Sequence, residues 1–312
     1  MRTFEKQIKI SGVGIHSGAP VNMVIKPAKK HGIFFKRVDL PNTDLIPALY
    51  NNVGESNLRN TTVGDINGAH VQTIEHLMAA LFMAGVDSAL IEIDGPETPI
   101  LDGSAAQFFK LFTKVPVTTG TMKKIIIKKE VVIKKKDALR LLPFVTRMMV
   151  IVHDWMLGRR NNGVVRLLPH TGVLDIQTTM DYPDKIIGKQ TFNFTFDGTK
   201  KSVDKFVKEI SSARTFGRFS EWEYLKSRGM ARGASEENVI ALNDKGDGTI
   251  NPLKWRDEFV RHQVIDLLGD MFTSGGMIVG KLDVYKGGHA MSNMLLKKLF
   301  SDPSNYDIIE AK

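Results

Sequence analysis

Residues 257–272, DEFVRHQVIDLLGDMF, restrict the fold of this chain more than any other segment. Their apolar side chains recur every three or four positions, as on one face of an α-helix, so we predict a helix that buries this face. A second stripe of the same helix is polar and contains His262, Asp266 and Asp270, each one turn from the next. Side chains four residues apart on a helix are neighbours, so His262 and Asp266 can share one metal ion. A solvated polar face with a chance histidine is the alternative for this segment alone.

Both halves of the 312-residue chain mix strand-like and helical segments, which predicts the α+β class. Residues 112–122 contain a proline and a glycine and show no clear period, so we place a domain boundary there. The predicted domains are 1–118 and 123–312. The second domain carries an unusual segment at about 144–169, which indicates a partial duplication or an insertion between two strands.

A second helix is predicted in the first half of the chain. Thr73 has the character of an N-cap residue, the apolar residues after it have helical spacing, and Gly85 is a natural stop. Glu75 and His76 lie early in this helix, which is apolar nearly all round and is therefore expected to be buried on more than one side. A buried acid and a buried imidazole need partners, and a hydrogen-bonded core histidine is the alternative to a functional one.

Together the two helices supply the side chains of a metal site. His76, His262 and Asp266 form a set of two nitrogens and one oxygen, which leaves the fourth position of a zinc ion for water. Glu75 stands beside this set as a general base for that water. The chain has no cysteine, so zinc must be held by His, Asp or Glu, which suits a catalytic site. The same ligands also accept Fe²⁺.

Asp270 lies two turns from His262, about 12 Å along the helix axis, which is too far for the same metal ion. A carboxylate in this place suits the orientation of another imidazole. We expect that imidazole to be His289 in YKGGHA, where two glycines allow the backbone to approach closely. Held charged by Asp270, His289 would stabilise an oxyanion or protonate a leaving amine. A surface histidine at a helix N-terminus is the alternative.

The composition limits the compartment and the partners. No disulfide can form, the N-terminus lacks the apolar core of a signal peptide, and no apolar run is long enough to span a bilayer. These features fit a cytoplasmic protein. The formal net charge of +9 suits an anionic partner such as nucleic acid, lipid or a phosphorylated substrate. Much of the excess lies in residues 123–136, which equally fit a solvated strand pair whose lysines discourage aggregation.

Five motifs of the chain occur in the order found in one enzyme family. They are TIEHLMAAL, DGPETPILDGSA, SSARTFG, DEFVRHQVIDLLGD and YKGGHAMSN. Over nearly the whole chain, they resemble the zinc-dependent UDP-3-O-acyl-N-acetylglucosamine deacetylases of lipid A synthesis. The resemblance implies two similar α+β domains, each a β-sheet layered with helices, packed face to face with the active site at their junction. It also implies hydrolysis of the N-acetyl group of a UDP-sugar that carries a 3-O-acyl chain, with release of acetate.

The resemblance also assigns roles to single residues. The matches are His76, His262 and Asp266 to the zinc ligands, Glu75 to the catalytic base, His289 to the acid or electrostatic stabiliser, Asp270 to its carboxylate partner, and Thr215 to the threonine that polarises the scissile carbonyl. Tyr182 falls where the family stacks an aromatic ring on uracil, and Lys286 where a lysine approaches the UDP portion. Phe216 opens the stretch that resembles the acyl passage, and Gln263 stands where the family usually has lysine.

Two alternatives stay open at the level of sequence. One is a related metal amidohydrolase that acts on another N-acetyl sugar with the same catalytic set. The other is a weakly active homologue that binds anionic partners through its basic surface. The resemblance itself implies a monomer, no nucleic-acid partner, and peripheral contact with the inner membrane through the lipid part of the substrate.

Overall fold

The structure is a computed structural model that describes residues 1–54, 60–141, 147–148, 151, 162–229 and 231–310. Strands and helices alternate along both halves of the chain, so the prediction of an α+β protein is confirmed. Within the described residues, no helix combines the length and the apolarity needed to cross a bilayer.

The strands fall into two large sheets and two small ribbons. They are β1 (Ile8–Val13), β2 (Pro20–Pro27), β3 (Gly32–Arg37), β4 (Ile46–Pro47), β5 (Val63–Gly64), β6 (His70–Val71), β7 (Ser88–Ile93), β8 (Lys124–Ile127), β9 (Val131–Lys134), β10 (Val164–Leu168), β11 (Leu174–Asp181), β12 (Lys189–Phe196), β13 (Phe216–Arg218), β14 (Ile240–Leu242), β15 (Met277–Tyr285) and β16 (Tyr306–Ile309). The helices are α1 (Glu75–Met83), α2 (Ala106–Phe112), α3 (Lys135–Leu141), α4 (Lys200–Glu209), α5 (Phe219–Ser227), α6 (Glu258–Phe272) and α7 (His289–Phe300).

The first sheet has five strands in the order β1-β2-β7-β3-β4. Its β3 and β7 are parallel, whereas the other neighbours are antiparallel. Buried residues alternate with more exposed ones along β2, because one face of the sheet packs into the core and the other faces solvent.

The second sheet has seven strands, five of them in the order β12-β11-β15-β10-β9. The long strand β15 organises this sheet: its first three residues pair with β8, and the rest pair with β10 and β11. Strand β16 then pairs with β8. The parallel β11 and β15 and the short turn after β15 bring Tyr182, Lys286 and the start of α7 to the same end of the sheet.

Helices α1 and α6 pack against each other and carry the polar residues singled out in the sequence. All nine residues of α1 are buried, as its all-round apolar character predicts. A Cβ atom added at Gly269 of α6 would lie 2.0 Å from the carbonyl oxygen of Glu75, so this glycine allows the backbones to touch. Near the end of α1, the ring centroid of Phe82 lies 4.8 Å from that of Phe196 and 5.1 Å from that of Phe272, the last residue of α6.

One local prediction was wrong. Thr73 does not cap α1, which begins at Glu75 without a side-chain cap; Thr73 has a positive φ of 61° and bonds instead to Asn60 and Glu97. Within the segment at about 144–169, Val164–Leu168 forms β10 between β9 and β15, and the interpretation of this segment as a duplication or insertion stays a prediction. Most of the remainder of that segment lies outside the described residues.

Candidate active site

Three side chains meet where α1 and α6 cross. The Nε2 atom of His76 lies 3.5 Å from Oδ1 of Asp266, and Nε2 of His262 lies 3.4 Å from the same oxygen. The two imidazole rings meet edge to face with centroids 4.9 Å apart. One ligand atom from each of the three residues falls within 4.8 Å of the others, so the set predicted from helix spacing is assembled.

The hydrogen bonds of this cluster fit a metal ion. The Nδ1 atom of His262 lies 3.0 Å from the carbonyl oxygen of Ala213, and only a protonated Nδ1 can donate to that oxygen. In the neutral ring, Nε2 therefore presents a lone pair to Asp266. Among the described residues, the buried Oδ1 of Asp266 accepts no hydrogen bond. Lone pairs that face each other at this distance repel unless a proton or a cation lies between them, and two nitrogens with one carboxylate oxygen suit zinc.

Glu75 lies beside the cluster and is buried, with 3% of its surface exposed. Its Oε2 accepts a hydrogen bond of 3.0 Å from the backbone N–H of Thr61. Burial raises the pKa of Glu75, although the neighbouring His289 and His76 oppose that shift. A carboxyl group whose pKa moves toward neutrality is suited to accept and return a proton near pH 7.

His289 and Asp270 form the pair that the sequence predicts. Nδ1 of His289 lies 3.0 Å from Oδ2 and 3.1 Å from Oδ1 of Asp270, and Thr61 donates its hydroxyl to Oδ1 at 2.6 Å. Burial by itself would lower the pKa of His289, but the carboxylates of Asp270, Glu75 and Asp266, with Asp270 contributing most, together raise that pKa well above the usual value. This shift favours the charged imidazolium, which is the form that can donate a proton.

A cavity of about 780 Å³ opens over these groups. Of the predicted site residues, those that line it are Glu75, His76, Tyr182, Thr215, Phe216, His262, Gln263, Asp266, Lys286 and His289. Asp270 does not line the cavity and lies behind His289. The structure thus brings the catalytic, metal-binding and substrate-binding candidates to one place.

The substrate-binding candidates occupy different parts of this cavity wall. The ring of Phe216 packs edge to face on Phe259, with centroids 5.1 Å apart, and lies 6.4 Å from the ring of His262. The amide oxygen of Gln263 accepts a hydrogen bond from the buried hydroxyl of Thr178. Lys286 has a positive φ of 53° immediately before the two glycines that lead into α7.

A hydrophobic cluster forms another part of the wall. It consists of Trp222, Ala231, Ala234, Val239 and Ala241, with Ile15, Phe219 and Leu225 packed against it. Most of these side chains line the cavity, and α5 supplies Trp222 and Leu225. This surface has the chemistry to hold an alkyl chain.

Sequence reasoning missed three groups that support the site. Thr61 bonds to both Glu75 and Asp270, but a threonine outside any periodic segment gives no signal. The buried ion pair of Arg214 and Glu258 joins residues 44 positions apart, which no local pattern reveals. Gly269 did leave a signal, because a glycine inside a helix interior usually has a packing reason.

Comparison with known proteins shows what family this arrangement belongs to. The family model described as UDP-3-O-acyl N-acetylglycosamine deacetylase matches residues 1–301. A UDP-3-O-acyl-N-acetylglucosamine deacetylase of Myxococcus xanthus is 38% identical over 312 residues, covering 100% of this chain and 90% of the relative. Proteins of the same name are 34% identical over 309 residues in Pasteurella multocida and 35% identical over 312 residues in Shewanella piezotolerans, each covering 99% of this chain and 92% of the relative.

The α+β fold and a His-His-Asp cluster beside a buried carboxyl group define a metal-dependent hydrolase. More narrowly, the chain belongs to the UDP-3-O-acyl N-acetylglycosamine deacetylase family, and it is an enzyme that hydrolyses an amide.

Proposed function

We propose that this protein removes the N-acetyl group from UDP-3-O-acyl-N-acetylglucosamine, in the lipid A pathway, with a zinc ion held by His76, His262 and Asp266. Family membership over residues 1–301 supports the substrate, and the donor set supports the metal. When bound there, zinc supplies Lewis acidity that polarises the acetyl carbonyl and makes water easier to deprotonate.

Glu75 is the general base of the reaction. Its carboxylate takes a proton from the attacking water while the water oxygen bonds to the acetyl carbon. The N–H of Thr61 holds the carboxyl group in place without neutralising it. Because burial raises the pKa of Glu75, this group can accept the proton and remain a useful acid afterwards.

His289 and Thr215 act on the other atoms of the amide. The charged His289 stabilises the oxyanion and gives its proton to the amine nitrogen as the carbon–nitrogen bond breaks, so that acetate and a free amine leave. Asp270 holds the ring of His289 in orientation and keeps it charged. Thr215, immediately before β13, donates its hydroxyl to the carbonyl oxygen.

The two ends of the substrate contact different parts of the cavity wall. Tyr182 and Lys286 bind the uridine diphosphate through ring stacking and positive charge. Phe216 and the cluster around Trp222 contact the acyl chain, which their apolar surface suits. Gln263 supplies no charge where relatives usually have lysine, so we expect weaker transition-state binding than in those relatives.

The observation that carries this proposal is the position of Glu75 beside the His76, His262 and Asp266 cluster in one cavity. The test is acetate release from UDP-3-O-acyl-N-acetylglucosamine by the purified protein with one zinc per chain, and again after chelation. We expect turnover that depends on zinc. Absence of turnover in protein that retains bound zinc would contradict the proposed substrate.

A variant separates the base from the metal site. Glu75→Gln keeps the size of the side chain and all three ligands but removes the proton acceptor. We expect kcat to fall by roughly 10²–10⁴-fold with zinc content unchanged. Wild-type kcat in this variant would refute the role of Glu75, and a loss of zinc would show that Glu75 supports the ligands instead.

We further propose the boundaries 1–118 and 123–312 as those of two domains. The Phe4–Val117 bridge ties the start of the chain to the end of the first unit, and β8 already pairs within the second sheet. The monomeric state and the contact with the inner membrane stay predictions from the family resemblance, and the cytoplasmic location stays a prediction from the composition.

A further inference from the structure

A buried ion pair, Arg214 with Glu258, joins the 213–215 segment to the helix that carries two of the metal ligands. The Nε and Nη2 atoms of Arg214 donate to Oε1 and Oε2 of Glu258 at 2.9 and 3.2 Å, and Nη2 also donates to the carbonyl of Pro252 at 2.7 Å. The exposed side-chain fractions are 9% for Arg214 and 0% for Glu258. The carboxylate and guanidinium planes therefore meet in a two-point contact that excludes water.

Glu258 also holds backbone groups. Its Oε1 accepts from the N–H of Arg214 at 3.1 Å, and its Oε2 accepts from the N–H of Lys254 at 2.6 Å. The carboxylate thus fixes both the side chain and the main chain of Arg214. Because Glu258 lies in the first turn of α6, this contact ties the 213–215 segment to the helix that carries the metal ligands.

The residues on either side of Arg214 both reach the site. The carbonyl of Ala213 accepts the hydrogen bond from Nδ1 of His262 and so orients that imidazole. Thr215 lines the cavity beside it. Glu258 and His262 are one turn apart on α6, so Glu258, Arg214, Ala213 and His262 form a closed ring of contacts. A displacement of Arg214 would move the partner of a metal ligand and the threonine together.

Stability alone is a poor reason for such a pair. Removing two charges from water costs about as much as their attraction returns, so a buried ion pair is weak evidence of stabilisation. The ion pair instead fixes the short segment 213–215, in which Ala213 contacts His262 and Thr215 lines the cavity. We therefore assign the ion pair a role in orienting these two residues.

We infer that Arg214 and Glu258 are positioning residues for the deacetylation, acting through Ala213 on the orientation of His262 and through Thr215 on the acetyl carbonyl. The inference rests on the proposed function for its catalytic part. Its metal-binding part stands on the hydrogen bond between His262 and Ala213 and can be measured without substrate.

The test is Arg214→Lys, which keeps the positive charge but cannot form the two-point contact. Partners that orient a metal ligand typically change metal affinity or activity by about 10–100-fold when mutated. We therefore expect zinc to pass to a competing chelator roughly 10–100-fold faster than from the wild-type protein. We also expect kcat to fall over a similar range while KM changes about twofold or less, because the substrate contacts themselves remain.

Arg37 provides a matched control. Its Nε and Nη2 atoms donate to Asp39 at 2.8 and 2.6 Å, and its Nη1 donates to the carbonyl of His70 at 2.9 Å. It is likewise buried but does not line the cavity. Arg37→Lys removes the same kind of two-point contact, so we expect its Tm to fall about as much as that of Arg214→Lys. Its zinc release and kcat should stay at wild-type values.

The inference is overturned if Arg214→Lys releases zinc at the wild-type rate, or if Arg37→Lys releases it equally fast. If Arg214→Lys fails to fold, Glu258→Asp replaces it, because the shorter side chain moves the carboxylate away from Arg214 by one methylene. Zinc release and kcat are then measured for Glu258→Asp with the same expected results. If zinc release is accelerated but the wild-type protein frees no acetate, the proposed function fails and the positioning of His262 stands. If acetate is freed and Arg214→Lys behaves as wild type, only the inference fails.

Discussion

Gly269→Ala is the sharpest test of how the site is assembled. A Cβ atom at this position would lie 2.0 Å from the carbonyl oxygen of Glu75, 2.7 Å from its carbonyl carbon and 2.8 Å from its Cα. All three atoms belong to the backbone of α1, so no side-chain rotation can relieve the contact. To restore an ordinary contact of 3.4 Å, the two helices must separate locally by about 1.4 Å.

This shift has a small effect on stability and a large one on the chemistry. Overpacking costs about 1–3 kcal/mol, and the higher helix propensity of alanine returns up to about 1 kcal/mol, so we expect a net loss of roughly 0–2 kcal/mol. The displaced residues are Glu75 and His76, whereas His262 and Asp266 stay on α6. A misplacement of about 1 Å in a catalytic group can cost about 10²-fold in rate, and the metal ligands would lose their common centre.

The assay compares kcat/KM, zinc content and denaturant unfolding for Gly269→Ala with the same quantities for Gly95→Ala. At Gly95 the nearest atom to an added Cβ is a methyl group of Val21 at 3.4 Å, an ordinary contact. We expect kcat/KM of Gly269→Ala to fall by about 100-fold or more, out of proportion to its stability, with Gly95→Ala near wild type. Wild-type kcat/KM and zinc content in Gly269→Ala would refute the view that backbone contact between α1 and α6 sets the site.

Three further outcomes follow from the geometry. Protonated His289 is the active form, so activity is lost as pH rises through its raised pKa. Asp270→Asn removes the main cause of the raised pKa and should move the alkaline limb of the kcat profile to lower pH. An unmoved alkaline limb would contradict the pairing of His289 with Asp270. Gln263→Lys should raise kcat/KM several-fold by restoring a positive charge, and an unchanged kcat/KM would refute this expectation. The same variant should lower the free energy of unfolding by about 1 kcal/mol, because the buried Thr178 hydroxyl loses its acceptor. Chelation should lower Tm as well as abolish acetate release, since zinc that binds only the folded state stabilises it by about 2.7 kcal/mol at 100 times its Kd. An unchanged Tm would mean that no zinc binds preferentially to the folded state.

The parts of the site that could be predicted from sequence are those that lie on helices. Helical geometry fixes His262, Asp266 and Asp270 one turn apart, so their spacing alone separates the residues that can share an ion from the one that cannot. The same regularity places Glu75 next to His76 on a helix that the composition marks as buried. That the two helices meet was a hypothesis from their complementary ligand types, and the order of five family motifs agreed with it.

The parts that could not be predicted depend on contacts between distant segments. Thr73 has the residue type of an N-cap, but its hydroxyl is bonded to Glu97 within a buried network, so tertiary contacts override the local preference. Thr61 donates its N–H to Glu75 and its hydroxyl to Asp270. Neither hydrogen bond can be predicted from the periodicity of the sequence. The similar strings at 138–143, ALRLLP, and at 164–169, VVRLLP, take different structures, since their described parts form the end of α3 and the strand β10.

Each half of the chain supplies some of the residues of a single active site. Glu75 and His76 come from α1, and Thr61 comes from the segment before β5. His262, Asp266 and Asp270 come from α6, and His289 comes from the start of α7. Neither half alone offers three metal ligands, and neither offers both a base and an acid. Metal binding must therefore report on the contact between the halves as well as on the ligands. For this reason, changes at Gly269 and Arg214, which touch no substrate, should be visible first in zinc retention and only then in turnover.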